Sequence, residues 1–494
     1  MIFMIVNFVY KFPCGPFSDW AVSRRFEHKH SSLTAATEIR RARWRGQFNF
    51  EGNIMMSTKK LRRGPGILMA SICLLLPLSS AFGEDVSRPS VVGSRLERKY
   101  SFDQPNYNVK VGPVTFRVVA GLRTEFNDNI NLSDNDRESD FVFRPQMGVT
   151  AFWPITPYNA LNFTANFSYS KYLRHSELDD ASKSFSIAPD SILDYDIFIG
   201  HFTLNLHDRF SIDQDPYGTR TDSRIGTFGQ FMNSAGVRLT WDVNRALVLT
   251  LGYDHTNAIA TQSSYDFTNY AQDGVVFSSR LVLSDKIAVG IEAAGAQTTY
   301  STDDKANGTE FHTGPFIDLA FTEYTRLRLA GGYQAMYFDG SSAATIQVNP
   351  DNTVLRNALK DTRIQSEDQN TFYVNADFTN RLSSHFTQTL SFGRETSLAV
   401  TAQTVDLIYA RYSGSWAMNS LITLNLQLFY ENGRESAALQ PENFNRYGGG
   451  LNTSFLLSRK LNMEIGYNFT KKDTDLSQQN YTQNVVYVGL NYNF

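Results

Sequence analysis

Cysteine is almost missing from this chain of 494 residues: the only two are Cys14 and Cys73. Both precede a leader cleavage site expected near Gly83/Glu84, so the chain after it has no disulfide, no thiolate nucleophile and no cysteine metal site. A protein that crosses an oxidising periplasm unfolded has reason to lack thiols, which would otherwise be oxidised or mispaired. Long apolar runs are also missing. No stretch after the leader approaches the roughly 20 apolar residues of a transmembrane helix, which excludes a helical membrane protein. A basic excess is missing too. With residues 1–83 set aside, 34 Lys+Arg remain against 45 Asp+Glu, a net charge of −11 that argues against a nucleic-acid binder. No Gly-rich phosphate loop, zinc spacing or exact repeat occurs, and no cofactor is expected.

The one apolar run, Gly66 to Leu78, follows Lys59, Lys60, Arg62 and Arg63 and precedes Ala81-Phe82-Gly83. A basic stretch, a short apolar stretch and small residues at the cleavage positions make a secretory signal rather than a membrane anchor. Met55 and Met56 stand directly before it, so residues 1–54 read as a non-native extension, 55–83 as the signal peptide and 84–110 as a periplasmic lead-in.

What the chain has in abundance is aromatic residues, 37 Phe and 24 Tyr, set among Asn, Ser, Thr and Gly, a mixture that suits strands with one apolar and one wet face. From Val114 onward the hydrophobic period is two. Leu461, Met463, Ile465, Tyr467 and Phe469 share one face, with Asn462, Glu464, Gly466, Asn468 and Thr470 opposite; Val486, Val488, Leu490, Tyr492 and Phe494 repeat the pattern. The pattern predicts strands near 114–126, 138–153, 159–174, 183–196, 198–212, 230–243, 246–259, 272–284, 287–301, 308–322, 325–339, 368–382, 385–398, 402–418, 421–433, 443–458, 461–472 and 481–494. Eighteen is an even number, as a single-chain bacterial barrel requires. Tight turns such as Ser284-Asp285-Lys286 alternate with long polar loops at 213–229, 260–271, 340–367 and 434–442, and Trp153, Tyr158, Trp241 and Trp416 fall at strand ends, as interfacial aromatics do. The fold class predicted is an all-β, transmembrane, antiparallel up-and-down barrel over residues 111–494, located in the outer membrane.

Two stretches carry resemblances. The last strand, with Leu490, Tyr492 and Phe494 on one face, resembles the C-terminal signal by which outer-membrane barrels are recognised by the barrel-assembly machinery. Val118-Val119-Ala120-Gly121-Leu122-Arg123-Thr124-Glu125-Phe126-Asn127-Asp128-Asn129-Ile130-Asn131-Leu132, followed by Arg137-Glu138-Ser139-Asp140-Phe141, resembles the opening of the β-barrel porin 2 family. The resemblance implies an outer-membrane barrel, some relatives of which serve exopolysaccharide export beside a periplasmic export protein, and it transfers no catalytic residue. Read from chemistry alone, Asn127-Asp128-Asn129 suits a turn. The competing reading is that Asp128, Asp134, Asp136 and Asp140 hold calcium, but the spaced ligands and closing Glu of a calcium loop are absent.

If apolar faces meet lipid, the opposite positions line the interior. Arg117, Arg123, Arg144, Arg238, Arg280, Arg326, Arg328, Arg411 and Arg446 then point inward with Glu125, Asp242, Glu292, Asp318, Asp377, Glu431 and Glu464. Such charges either set the selectivity of an aqueous pore or pair across strands to hold the wall, and both readings stay open. The candidate pore-lining set is Arg280, Arg326, Arg328, Arg411, Arg446 and Glu464, with Arg326, Arg328 and Arg280 as the contact for an anionic solute or saccharide. The expected function is an outer-membrane conduit for polar solutes or secreted polysaccharide, surrounded by lipid and lipopolysaccharide. Loop 340–367 and residues 84–110 are each a candidate to fold inward and constrict the pore, the alternative and more usual case being a disordered surface loop. The alternative is a surface-binding barrel that works through its loops. A hydrolase needs a His beside a Ser or Asp, and the six histidines after the leader, His175, His201, His207, His255, His312 and His385, sit in no such motif.

Overall fold

The computed structural model describes residues 107–214, 228–339, 368–399, 402–436, 441–476 and 479–494, and the backbone of four short strands within 341–365. The expected extension, signal peptide, nearly all of the lead-in and most of loop 340–367 lie outside the described residues.

Eighteen antiparallel strands make the wall. They are β1 Val114–Asn127, β2 Asp140–Thr156, β3 Asn159–Tyr169, β4 Ile192–Ile199, β5 Phe202–Asp213, β6 Gln230–Asp242, β7 Leu247–Ala260, β8 Tyr270–Ser284 and β9 Ile287–Tyr300. The second half runs β10 Asn307–Thr322, β11 Thr325–Asp339, β12 Gln369–Ser383, β13 Phe386–Leu398, β14 Thr404–Ala417, β15 Ile422–Ser436, β16 Asn443–Leu456, β17 Leu461–Thr474 and β18 Tyr481–Asn493. Each pairs with the next, and β1 pairs with β18 from Val119↔Asn493 to Asn127↔Val485, which closes the barrel. Closure is what a bilayer demands, because hydrocarbon offers no partner to the free N–H and C=O groups of a strand edge.

All but β4 contain 11–17 residues, enough to cross at a tilt. Two boundaries differ from the sequence pattern. The third strand ends at Tyr169 rather than near 174, and the fourth begins at Ile192 rather than near 183. The apolar alternation does run on through both stretches, but Lys171–Tyr172 and Phe185–Ile187 form separate short strands around a 3₁₀ turn and a helix of one turn, Ala181–Ser184.

Side chains alternate as the period of two requires. Leu122 and Phe126 on β1, Phe141, Phe143 and Met147 on β2, and Val486, Val488 and Leu490 on β18 are exposed on the outside. The rim of short turns is ringed by exposed Trp153, Tyr158, Trp241, Trp416, Tyr492 and Phe494. Toward the long-loop end, outward tyrosines donate to an amide or carboxylate on the next strand: Tyr333 to Asn370, Tyr430 to Asn445 at 2.8 Å, Tyr467 to Asn484 at 2.7 Å and Tyr253 to Asp273 at 2.6 Å. A ring that is apolar below and hydrogen-bonded above belongs at a membrane–water boundary.

The turn after β1 fastens the closing seam. Asp128 accepts from the Asn484 backbone N–H and side chain, both at 2.6 Å. Asn129, fully buried, donates to the Ser133 and Thr482 carbonyls at 2.7 and 2.9 Å, and Gln483 donates to its carbonyl at 2.9 Å. Leu132 follows with φ of 51°, a conformation that a non-glycine residue adopts only when its surroundings hold it there. Replacing Asn129 by Ala strands the Ser133 and Thr482 carbonyls and the Ser133 N–H, which donates to the Asn129 side-chain oxygen, at about 1–3 kcal/mol for each group left unsatisfied. The Asn129→Ala barrel is therefore expected to unfold at a lower temperature on a heat-modifiability gel, while Asn135→Ala, in the following exposed stretch, leaves the transition unchanged.

Candidate functional site

The lumen is the candidate site, and its wall has a repeated construction. At five places an inward aromatic ring lies across an inward glycine on the neighbouring strand at the paired register position: Tyr487 on Gly466, Phe444 on Gly433, Tyr409 on Gly393, Phe429 on Gly448 and Phe316 on Gly290. A Cβ on Gly466 would stand 2.2 Å from the Tyr487 ring, and one on Gly433 would stand 2.1 Å from Phe444. The ring needs the empty position in order to lie flat.

A cation then covers each ring. Arg123 sits 3.6 Å from the centre of Tyr487, Lys472 4.8 Å from Phe444, Arg411 4.2 Å from Tyr409, Arg446 5.2 Å from Phe429 and Arg328 4.2 Å from Phe316. Each of these cations also has a carboxylate: Arg123 with Glu125 at 3.1 Å, Lys472 with Glu442 at 2.7 Å, Arg411 and Arg446 with Glu431, and Arg328 with Glu292 at 2.8 Å and Asp318 at 3.1 Å. Glycine, ring, cation and carboxylate together lay long side chains along the wall instead of across the lumen.

The six sequence-derived candidates all face inward, in three groups. Arg280 and Arg328 share Asp318, at 3.1 Å each, and Tyr373 also reaches Glu292 at 3.3 Å. Arg411 and Arg446 converge on Glu431, which is completely buried. Glu464 accepts the Tyr487 hydroxyl at 3.2 Å. Arg326 alone stands apart. It faces Ala320 and Thr379, its side chain is exposed near the short-turn end, and it forms no ion pair among the described residues. Pairing along the wall thus accounts for Arg280, Arg328, Arg411 and Arg446, whereas Arg326 keeps its charge available to the lumen.

What sequence reasoning missed lies at the mouth. Lys305, between β9 and β10, is buried and donates to the Ala402 carbonyl at 3.1 Å and to the Ala399 carbonyl, both between β13 and β14; Gln403 donates to the Ala306 carbonyl at 3.0 Å. The two connections belong to strand pairs four places apart on the wall, so both lean over the opening to meet. A second bridge joins Thr261 to the Ser182 carbonyl at 2.5 Å, and Phe228, Tyr265 and Phe267 are buried beside it. A lone Lys in a polar loop carries no sequence signal for such a contact. At the rim, hydrogen bonds from the Asn443 side chain and backbone hold the Asp475 carboxyl below the usual carboxylate range.

Three of the four aspartates weighed as calcium ligands go to separate partners. Asp128 belongs to the seam, Asp134 lies 3.9 Å from Arg137, and Asp140 accepts the Arg174 and His175 backbone N–H groups at 3.0 and 2.9 Å. No group of three or more His, Cys, Asp or Glu able to hold a metal occurs among the described residues.

A closed wall with an apolar exterior, two aromatic girdles and a polar, charged interior defines a membrane-spanning β-barrel of the outer-membrane type. The chain's architecture is similar to three solved structures: a BenF-like porin from Pseudomonas fluorescens Pf-5 (9% identity, 77% of this chain and 99% of that one, TM-score 0.46), the outer membrane protein opdK from Pseudomonas aeruginosa (10%, 77% and 99%, 0.43) and Pseudomonas aeruginosa OccK2 (OpdF) in complex with glucuronate (10%, 77% and 98%, 0.44). No protein-family model and no curated protein matches the chain.

Glu431 is where the wall is most exposed to damage. Glu431→Gln removes a carboxylate that Arg411 and Arg446 share, and breaking a buried pair of this kind costs about 3–5 kcal/mol. The expected result is a barrel that loses its compact gel mobility at a lower temperature than Glu310→Gln, with Arg446→Met in the Glu431→Gln background recovering part of the loss. Gly466→Val is expected to be at least as damaging, because Tyr487 has nowhere else to lie.

Proposed function

We propose that the chain is an outer-membrane channel that passes small polar solutes by diffusion. The observation that carries this reading is the flattened lining: rings lie on glycines, cations lie on rings, and the charges are matched at the wall. Such an arrangement spends side-chain volume on keeping an interior open, whereas a barrel of structural use alone fills its lumen. Eighteen strands fall in the size range of barrels that leave an aqueous passage.

Selectivity is assigned to the charge that pairing leaves over. Arg326 is an inward cation near the short-turn end with no ion pair among the described residues, as are Arg117 and Arg381, so negatively charged solutes are favoured there. The resemblance of residues 118–141 to the β-barrel porin 2 family supports a reading in the same direction and adds export of an acidic polysaccharide, with a periplasmic partner on the short turns, as a narrower form of it. The bridge from Lys305 and Ala306 to Ala399, Ala402 and Gln403 narrows the opposite mouth.

The test is single-channel conductance of the refolded mature barrel in a planar bilayer, with heat-modifiable mobility confirming closure. Stable open steps are expected. Arg326→Glu is expected to lower the anion-to-cation permeability ratio by about twofold or more, while Arg280→Gln, whose charge is already compensated, changes it less. Lys305→Ala is expected to raise conductance or add flicker by freeing the mouth connections. A folded barrel that passes no current, with Lys305 or without it, would contradict the proposal.

A further inference from the structure

The ladder between β12 and β13 stops short. It ends at Val374↔Arg394, although β12 runs on beside β11 to Met336↔Gln369 and β13 runs on beside β14 for four further pairs, Glu395↔Leu407 to Leu398↔Thr404. β14 in turn keeps to β15 as far as Thr404↔Ser436. The tops of β13, β14 and β15 therefore leave β12 together as a flap, and alternation along the strands tells which way it goes. Thr404 and Ser436 continue the outward rows of Ile408 and Tyr430, both exposed, whereas Gln334 and Gln369 continue the inward rows of Arg328 and Asp377. Yet Gln369 donates to the Thr404 hydroxyl at 2.8 Å and to that of Ser436, and Gln334 donates to the Thr396 carbonyl at 3.0 Å. Thr396, Thr404 and Gln334 are buried. The outer face of the flap thus lies on the inner face of β11 and β12, so the wall overlaps itself and the flap takes up part of the mouth.

Hydrogen bonds from long side chains hold the flap in. Besides the two glutamines, Lys305 donates to the Ala399 and Ala402 carbonyls, and Gln403 exchanges two hydrogen bonds with the Ala306 backbone, donating at 3.0 Å and accepting at 3.3 Å. A ladder continued upward would give the same strand main-chain partners instead, in the register that the lower wall already sets. Phe372↔Thr396 then lies two residues beyond Val374↔Arg394, on the same face and in the same kind of pair. Trading one set of hydrogen bonds for another changes the free energy little, which is the condition for one element to hold two arrangements. We propose that the flap is the gate of the mouth. Tucked inside β11 and β12 it narrows the opening; zipped onto β12 it rejoins the wall and widens it. The role as a gate rests on the channel reading of the lumen, whereas the second seat of the flap rests on register alone.

The full chain carrying Cys14→Ser and Cys73→Ser takes the pair Phe372→Cys, Thr396→Cys. With the flap tucked in, the two positions stand on opposite sides of β12, Phe372 exposed outside and Thr396 buried inside, so a disulfide between them needs the flap to swing out. The pair Val374→Cys, Arg394→Cys, already in register, is the control for access of the oxidant. After mild oxidation of outer membranes, both pairs are expected to resist a thiol reagent applied on denaturation, the first closing more slowly than the control. Gln334→Ala with Gln369→Ala in the same chain is expected to hasten the first, and heat-modifiable mobility confirms a folded barrel in each case. In a planar bilayer the oxidised Phe372→Cys, Thr396→Cys barrel is expected to show a larger conductance step that falls back when reductant is added. The proposal is overturned if this pair stays reduced while the control closes, if loss of the two glutamines does not hasten it, or if oxidised and reduced barrels conduct alike. A disulfide that closes in a barrel passing no current in either state supports the second seat of the flap and overturns the channel reading instead.

Discussion

Closure of β1 on β18 is the constraint on which the rest of the structure depends. Nine consecutive register pairs, Val119↔Asn493 to Asn127↔Val485, remove the last strand edge from a medium that cannot hydrogen-bond it. Once the edge is gone, alternation along each strand automatically sorts side chains into an apolar exterior and a wet interior. The motif at residues 127–132 then has a physical meaning: Asp128 and Asn129 tie the seam at its long-loop end, where the first and last strands would otherwise fray.

Within that wall the interior faces a second demand. Charged and aromatic side chains long enough to reach across a lumen have to be laid along it. The glycine–ring–cation stacks meet this demand with register. A glycine on one strand faces an aromatic on the next, the ring lies flat, and an arginine or lysine lies on the ring with a carboxylate as counter-charge. Glu431 serves two such cations and is fully buried, which makes it both a strong point and a vulnerable one. Compensation on the wall leaves the selectivity question to inward cations near the short turns that have no ion pair among the described residues, Arg326 with Arg117 and Arg381.

The architecture was readily legible in the sequence, because the period of two over strands such as 461–474 and 422–436 is the direct imprint of a wall between lipid and water. The strand count and the alternation of short and long connections followed from it. The breaks at Tyr169 and before Ile192 were not legible, since the apolar alternation continues through both: Lys171–Tyr172 keeps the register of the wall on Val142–Phe143, and Phe185–Ile187 pairs two residues out of the register that Ile192 begins. Parity along each strand puts Arg280, Arg326, Arg328, Arg411, Arg446 and Glu464 on the face opposite the exposed apolar side chains. Partnership was not legible. That Arg280 and Arg328 share Asp318, that Gly466 lies opposite Tyr487, and that Lys305 reaches Ala399 and Ala402 depend on register and loop path, which a single sequence does not encode locally.

The central claim, that the alternating faces separate lipid from a continuous aqueous path, is tested most directly by cysteine accessibility along one strand. Single cysteines at Thr387, Thr389, Ser391 and Glu395, on the inward face of β13, are treated with a charged, membrane-impermeant thiol reagent in intact outer membranes, beside cysteines at Gln388, Leu390 and Phe392 on the outward face. The expected result is labelling of every inward position through the membrane depth and protection of the outward ones. Protection of the inward positions at mid-depth would mean that the lumen is filled rather than open, and would contradict the account.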